Sequence, residues 1–273
     1  MIIFAIVFFA LGIFLGYLFC LGGRTDHPGM DVLRKWRYAH RGLHDATMPE
    51  NSMAAFRAAL NAGFGIELDV HLMKDGNLAV IHDSSLLRTA GADVRIEDLT
   101  VEELDNYRLG QSAEKIPLFR DVLALYAGKA PLIVELKCDH GNHAALCEAA
   151  CNMLDSYCGL FCVESFDPRA VIWMRKNRPN YIRGQLSENW MSQKIPVHVL
   201  LKFAMTYHIS NLVTRPDFIA YKFCDRKVFG TDLCRKVMGL QGVSWTLKCQ
   251  EELDIACSEG WIPIFEGFNP DML

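Results

Sequence analysis

The amino-acid sequence predicts an α/β fold, a (β/α)8 TIM-type barrel, and three observations carry that expectation. Short apolar runs of strand type alternate with longer helical patterns beyond residue 36, the signature of successive βα units around a parallel sheet. Eight such runs fall at 38–40, 65–72, 132–137, 161–166, 182–186, 212–214, 243–247 and 262–265. Residues 36–273 contain no low-complexity tract and no linker rich in Pro, Gly or Ser, so they supply the roughly 250 residues that one barrel uses. An open doubly wound sheet has no need of eight strands.

The chain begins with a different kind of segment. Residues 1–23 carry no charged side chain, and residues 2–21 read IIFAIVFFALGIFLGYLFCL, a helix about 30 Å long, enough to cross a bilayer. A signal peptide is the competing reading. The segment lacks a basic start, its apolar run exceeds the usual ~7–15 residues, and no clear small-x-small cleavage site follows, so an uncleaved anchor is expected. Arg24, Arg34, Lys35, Arg37 and Arg41 outnumber Asp26 and Asp31 in the flank that follows, which predicts a single-pass membrane protein with its body in the cytoplasm. The expected organisation is a transmembrane anchor at 1–23, a juxtamembrane linker at 24–35 and a barrel at 36–273.

Composition narrows the partners. A net charge of -4 gives no basic footprint for nucleic acid. The ten cysteines are scattered through apolar segments, as reduced thiols packing like small hydrophobes. Cys147 and Cys151 share a helix face, but no CxxC accompanies them, so core filling is expected rather than metal binding.

Between the strands, helices are expected at 52–61, 118–127, 143–156, 168–176, 197–207, 216–237 and 251–258. The run 78–82 is surplus to the barrel. Asp75-Gly76 before it is a hairpin signal, so strand two should rise past the rim, turn, and bring His82 back to the level of Glu67 and Asp69. Residues 84–117, with Thr100-Val-Glu-Glu103 as a capping box, read as an insertion over that rim.

The ionisable residues concentrate where barrel enzymes place their chemistry, at the C-terminal ends of strands. Glu67 and Asp69 lie i, i+2 in an apolar strand and so project together, a costly arrangement unless something positive lies between them. A hard divalent cation is the simplest candidate. Glu135 and Lys137 repeat the spacing, and strand one ends in His40-Arg41-Gly42. Oxygen ligands from Glu67, Asp69 and Glu135 suit Mg²⁺ or Ca²⁺ rather than zinc. Arg41 and Lys137 suit a phosphate, and His40 and His82 suit general acid and base work across phosphorus. The bland alternative is a buried ion-pair network of Glu67 and Asp69 with Arg41 or Lys137, or of Glu135 with Lys137 alone.

The ordered set His40-Arg-Gly42, Pro49-Glu-Asn-Ser52, Glu67-Leu-Asp69, Lys74-Asp-Gly76, His82-Asp83, Glu135-Leu-Lys137, Ser165-Phe166 and Trp245-Thr246 resembles the motifs of the glycerophosphodiester phosphodiesterase family, over residues 38 to about 265. The resemblance implies a phosphatidylinositol phospholipase C-like barrel that uses a divalent ion to hydrolyse glycerophosphodiesters to glycerol 3-phosphate and an alcohol. It implies His40 and His82 as the acid/base pair and Glu67, Asp69 and Glu135 as metal ligands. Arg41 and Lys137 become phosphate contacts, Glu50 and Asn51 lie near metal and substrate, and Trp245 is an apolar wall against the glycerol. In the family the glycerol 2-hydroxyl is proposed to attack phosphorus first.

Two departures stand out. The last strand of the family commonly ends in an Asp-containing turn, where this chain has Glu266. Residues 190–237 match no family motif and are rich in Phe, Tyr, Met and Leu, either as helix core or as recognition of a lipid-like alcohol. The anchor and this segment motivate an alternative, lysophospholipase D-type hydrolysis of a lipid phosphodiester. A non-catalytic phosphate-ester binding protein is a third reading, although no motif residue is lost. His71, Asp83, His140 and His143 are expected to have structural or surface roles.

Overall fold

The computed structural model describes residues 1–270. Its nine strands are β1 (Tyr38–His40), β2 (Gly65–Leu72), β3 (Leu78–Val80), β4 (Leu132–Leu136), β5 (Phe161–Ser165), β6 (Arg183–Ser187), β7 (Phe218–Lys222), β8 (Gln241–Leu247) and β9 (Trp261–Phe265). Eight of them run parallel and close into a ring, because β1 pairs with both β2 and β9. The ninth, β3, is the expected hairpin partner, antiparallel to β2 with Val70 opposite Val80.

Strand alternation builds two cores. One parity turns Ile133, Cys162, Phe218, Ala220, Val243, Ile262 and Ile264 into the ring, where Met30 and Leu33 join the same cluster. The other parity turns Leu132, Val134, Val163, Tyr221 and Phe265 outward, to be covered by a shell that includes Phe56, Val122, Cys147, Cys151, Met174 and Leu253 from the surrounding helices. Cys147 and Cys151 are buried packing residues, with Cys151 Sγ 3.6 Å from Met174 Sδ.

The expected elements are present with shifts of a residue or two at most boundaries, and one assignment is corrected. Residues 212–214 are part of a helical turn, Asn211–Thr214, ended by Arg215 at φ 42°, and the seventh barrel strand is β7, four residues beyond. Three apolar residues are too few to establish a period, and the turn leaves Leu212 and Val213 exposed. The helix expected at 216–237 therefore starts with a strand and continues as short turns, Phe223–Asp225 and Leu233–Val237.

The insertion is organised by its own cluster, in which Ile96, Leu99, Leu104 and Leu109 pack with Met73 and Ile81. Its capping box forms, with the Thr100 N–H donating to Glu103 Oε2 at 2.8 Å. The N-terminal helix, Ile2–Leu21, has the length and apolarity of a membrane span. Its residues through Gly16 are exposed, while Leu21 is buried against the barrel. Beyond it, the Arg24 guanidinium pairs with the fully buried carboxylate of Asp217, Nη2 to Oδ2 at 2.7 Å, and also donates to Tyr181 O.

Candidate functional site

Continuing up the inward parity from the apolar plug, the side chains become ionisable: Glu67 and Asp69 on β2, Glu135 on β4, Glu164 on β5, then Lys137 and Trp245. They line or underlie a cavity of about 670 Å³ at the C-terminal ends of the strands, shared with His40, Arg41, His82 and Glu266. The backbone at its edge is specialised. Arg41 adopts φ 57° and Gly42 φ 84°, and a Cβ on Gly42 would lie 2.8 Å from the backbone carbon of Ala55, so this turn requires glycine. The turn lets the Arg41 N–H donate to Glu67 O at 2.9 Å while its side chain reaches Glu50 Oε1 at 3.0 Å.

One ligand oxygen each from Glu67, Asp69 and Glu135 lie within 4.8 Å of one another, all three residues buried. Lys137 Nζ bridges Asp69 Oδ1 at 3.0 Å and Glu135 Oε1 at 2.8 Å, and Arg41 Nε approaches Asp69 at 3.4 Å. The ion-pair alternative is thus realised for Asp69 and Glu135 but leaves Glu67, whose carboxylate meets only the Arg41 N–H at 3.3 Å and His40 at 3.7 Å. Burial, then repulsion from Asp69 and Glu135, holds the Glu67 carboxyl well above the usual carboxylate range. Glu164, beside Glu135 in register, is raised likewise by burial and then by Glu135, and its Oε2 makes no hydrogen bond. Burial also opposes ionisation of Asp69, but Lys137, His82 and Arg41 outweigh it and hold that carboxyl low. Four buried carboxyl groups face two cations, an imbalance of negative oxygen that fits a hard divalent ion among Glu67, Asp69 and Glu135.

The two histidines are each oriented by a carboxylate. His40 Nδ1 lies 2.6 Å from Oε2 of Glu266, which directly follows the last strand, and Lys248 Nζ holds the same oxygen at 2.7 Å. His82 Nδ1 lies 2.6 Å from Asp83 Oδ1, and Arg88 clamps Asp83 and Glu50. Burial depresses both imidazoles, His40 despite its bond to Glu266 and His82 to about 4 despite Asp69. His71, buried on the same face of β2, joins Glu97 of the insertion at 2.7 Å and the carbonyl of His82 at 3.1 Å, fixing the hairpin end.

The structure gathers every expected site residue except Asn51 onto the cavity or directly beneath it. Asn51 is 1% exposed, and its Nδ2 donates to Asp69 Oδ2 at 2.8 Å, so it positions a carboxylate. Trp245 forms a wall with Phe166, ring centroids 5.7 Å apart, and its buried indole N–H makes no hydrogen bond. Glu164, Arg88 and Lys248 were missed by sequence reasoning. Glu164 had a readable signal, a carboxylate inside the apolar run Phe161-Cys-Val-Glu164, whereas Arg88, on the short helix Leu87–Ala90 of the insertion, and Lys248, in the loop after β8, have none.

Fold and site together define a closed parallel barrel with an acidic, metal-fitting cavity flanked by carboxylate-oriented histidines at its C-terminal rim. The model of the glycerophosphoryl diester phosphodiesterase family matches residues 40–265, and the chain belongs to that family. A glycerophosphodiester phosphodiesterase of Bacillus altitudinis is 42% identical over 107 residues, 37% of this chain and 43% of the relative, so the match spans less than half of that protein. Glycerophosphodiester phosphodiesterase 1 of Rattus norvegicus is 28% identical over 78% of this chain and 72% of its own. The solved phosphodiesterase of Oleispira antarctica, in complex with the product sn-glycerol-3-phosphate, superposes with a TM-score of 0.72 at 21% identity, covering 85% of this chain and 92% of that one.

Proposed function

We propose that the protein hydrolyses glycerophosphodiesters to glycerol 3-phosphate and an alcohol. The observation that carries this reading is the cluster of three carboxylate oxygens within 4.8 Å, in one cavity with two carboxylate-oriented imidazoles. Glu67, Asp69 and Glu135 are the residues that would hold the ion, Mg²⁺ or Ca²⁺. When bound, a divalent ion polarises phosphoryl oxygens and offsets their negative charge. Arg41 and Lys137 face the same cavity and hold the phosphate, Arg41 by paired donors and Lys137 as a point charge. One of His40 and His82 takes the proton of the attacking glycerol 2-hydroxyl as its oxygen bonds phosphorus and the bond to the alcohol oxygen breaks, while the other, entering the step protonated at Nε2, gives its proton to the leaving alkoxide. Water then opens the cyclic phosphate, losing a proton to the second ring while the first protonates the 2-oxygen, which leaves glycerol 3-phosphate and restores both rings. Glu266 and Asp83 keep the two rings oriented for this through Nδ1. Trp245 and Phe166 give the glycerol an apolar wall, and the free indole N–H offers a donor to a ligand oxygen. Residues 1–23 anchor the enzyme in a membrane, 24–35 link it to the barrel, and the basic flank places the barrel in the cytoplasm.

The test is turnover of a panel of glycerophosphodiesters differing only in the alcohol, with glycerol 3-phosphate as the common product. Product from none of them contradicts the assignment and favours the binding-protein reading. One observation supports a second substrate class, a single-chain lysophospholipid. A groove of about 750 Å³ shares Glu135, Lys137 and Phe166 with the catalytic cavity and is lined by Pro168, Trp190, Val197 and Leu201. Faster turnover of glycerophosphocholine than of lysophosphatidylcholine would count against that class.

A further inference from the structure

The way the N-terminal helix lies on the barrel fixes which end of the barrel meets the bilayer. In this fold the segment after each strand leaves the rim that carries the site and descends the outside of the barrel to the start of the next strand. Residues 188–217 descend in this way from β6 to β7, and residues 223–240 from β7 to β8. The last turns of the N-terminal helix touch both segments, and the contacts rise in register. The Tyr17 hydroxyl donates to Tyr207 O at 3.0 Å, and its ring stacks on Phe229 at 6.1 Å. Leu21 O accepts from Asn211 Nδ2 at 3.3 Å, and Leu21 packs against Cys234. The Arg24 N–H then reaches Pro216 O at 2.9 Å, just before β7 starts. The helix therefore runs downward beside two descending segments, and its free part, residues 2–16, points up toward the catalytic rim.

Length adds a second constraint. The whole helix is 20 residues, about 30 Å, which matches the hydrocarbon thickness with nothing left for a spacer. Residues 2–16 alone reach only about 22 Å, so the turn packed on the barrel, from Tyr17 to Leu21, has to lie at the membrane boundary. The surface around that turn is built for it. Val199, Leu200 and Phe203 on the first turns of the helix Val199–Thr206 are exposed, as are Met191 and Phe229, with Leu200 at 70% and Phe229 at 63%. All five stand on the two segments that leave the rim next to the N-terminal helix. The exposed Lys194 lies in the first of these segments and suits a lipid phosphate.

We propose that the barrel seats rim-first on the bilayer, with Val199, Leu200, Phe203 and Phe229 in the headgroup and upper acyl region and the catalytic mouth turned toward the lipid surface. Side chains of this kind enter the interface by roughly 5–10 Å. The proposal rests on residues 2–21 being a membrane span and is independent of which diester is cleaved. In this seating, substrate reaches the site along the membrane surface, and a diester that partitions into the headgroup layer is concentrated at the mouth.

The full chain, reconstituted in dioleoylphosphatidylcholine vesicles containing a phosphatidylcholine brominated near the headgroup end of its chains, tests this directly. Emission added by Phe229→Trp or Leu200→Trp should be quenched. Emission added by Lys129→Trp, in the loop before β4 at the opposite end of the barrel, should keep its full intensity. Quenching confined to Lys129→Trp would show that the other end faces the membrane and overturn the proposal. No quenching at any of the three would show a barrel that stands off the bilayer, also overturning it. Flotation of the same vesicles separates a failed span, in which the protein stays at the bottom, from a failed seating, in which it floats unquenched.

Discussion

Glu67 illustrates how much one position carries. Its neighbours Asp69 and Glu135 have Lys137, but among the described residues no Lys or Arg side chain is paired to Glu67, so its buried oxygens fit a hard cation. Glu67→Gln keeps the shape and removes the charge, and it should lower turnover by on the order of 10³-fold while weakening divalent-ion binding measured by calorimetry. Unchanged turnover would remove Glu67 from the site. His82 supplies a pH test. Its imidazole is depressed to about 4, so with His82 as the base kcat/KM should fall only as pH drops through about 4. An acid limb near 6.5 would mean an exposed, unperturbed ring. At this scale the sequence was informative wherever alternation put charge on an apolar strand, as at Glu67, Asp69, Glu135 and Lys137. It was silent on the Glu266–His40 and Arg88–Asp83 bonds, which join residues far apart in the chain or held by loops and obey no spacing rule.

The elements show the same division. The parallel strands were legible because β4 is a largely apolar run and β2 is an apolar strand interrupted only at alternate positions, by Glu67, Asp69 and His71, and the hairpin because Asp75-Gly76 announces it, with Gly76 at φ 84°. Strand β7 was misplaced because Leu212-Val-Thr214 looks more β-like than its surroundings, while tertiary pairing with β6 and β8 selects Phe218–Lys222. The linker after the N-terminal helix is held by Arg24, which pairs with Asp217 while that carboxylate also accepts the Arg183 N–H at 2.9 Å. Arg24→Ala leaves Asp217 buried with its backbone donor only, and because Arg24 is a quarter exposed the expected loss is about 2 kcal/mol, read as a lower urea midpoint. A midpoint unchanged within error would mean that the linker is held by its backbone bonds alone.

For the molecule as a whole, the cavity trades stability for charge. Glu67, Glu135 and Glu164 are raised above their unfolded values and hold extra protons in the folded state, while His40, His82 and His208 are depressed and oppose this until about pH 6.5, so above that pH the carboxyls alone remain. Chelated protein should therefore lose stability as pH rises from there, and Glu164→Gln should reduce that loss in thermal unfolding followed across pH. Added Mg²⁺ or Ca²⁺ should raise the unfolding temperature, with about 2.7 kcal/mol gained at one hundred times the dissociation constant. A chelator-insensitive melting curve would argue that Lys137 and Arg41 suffice to balance Asp69 and Glu135 without an ion.

The most direct test is release of glycerol 3-phosphate from sn-glycero-3-phosphocholine by the purified full chain, with EDTA and then with excess Mg²⁺ or Ca²⁺ restored. Release that stops with chelator and returns with one of these ions is the expected result. Release that continues undiminished in EDTA, or none with either ion, would contradict a divalent-ion phosphodiesterase built on Glu67, Asp69 and Glu135.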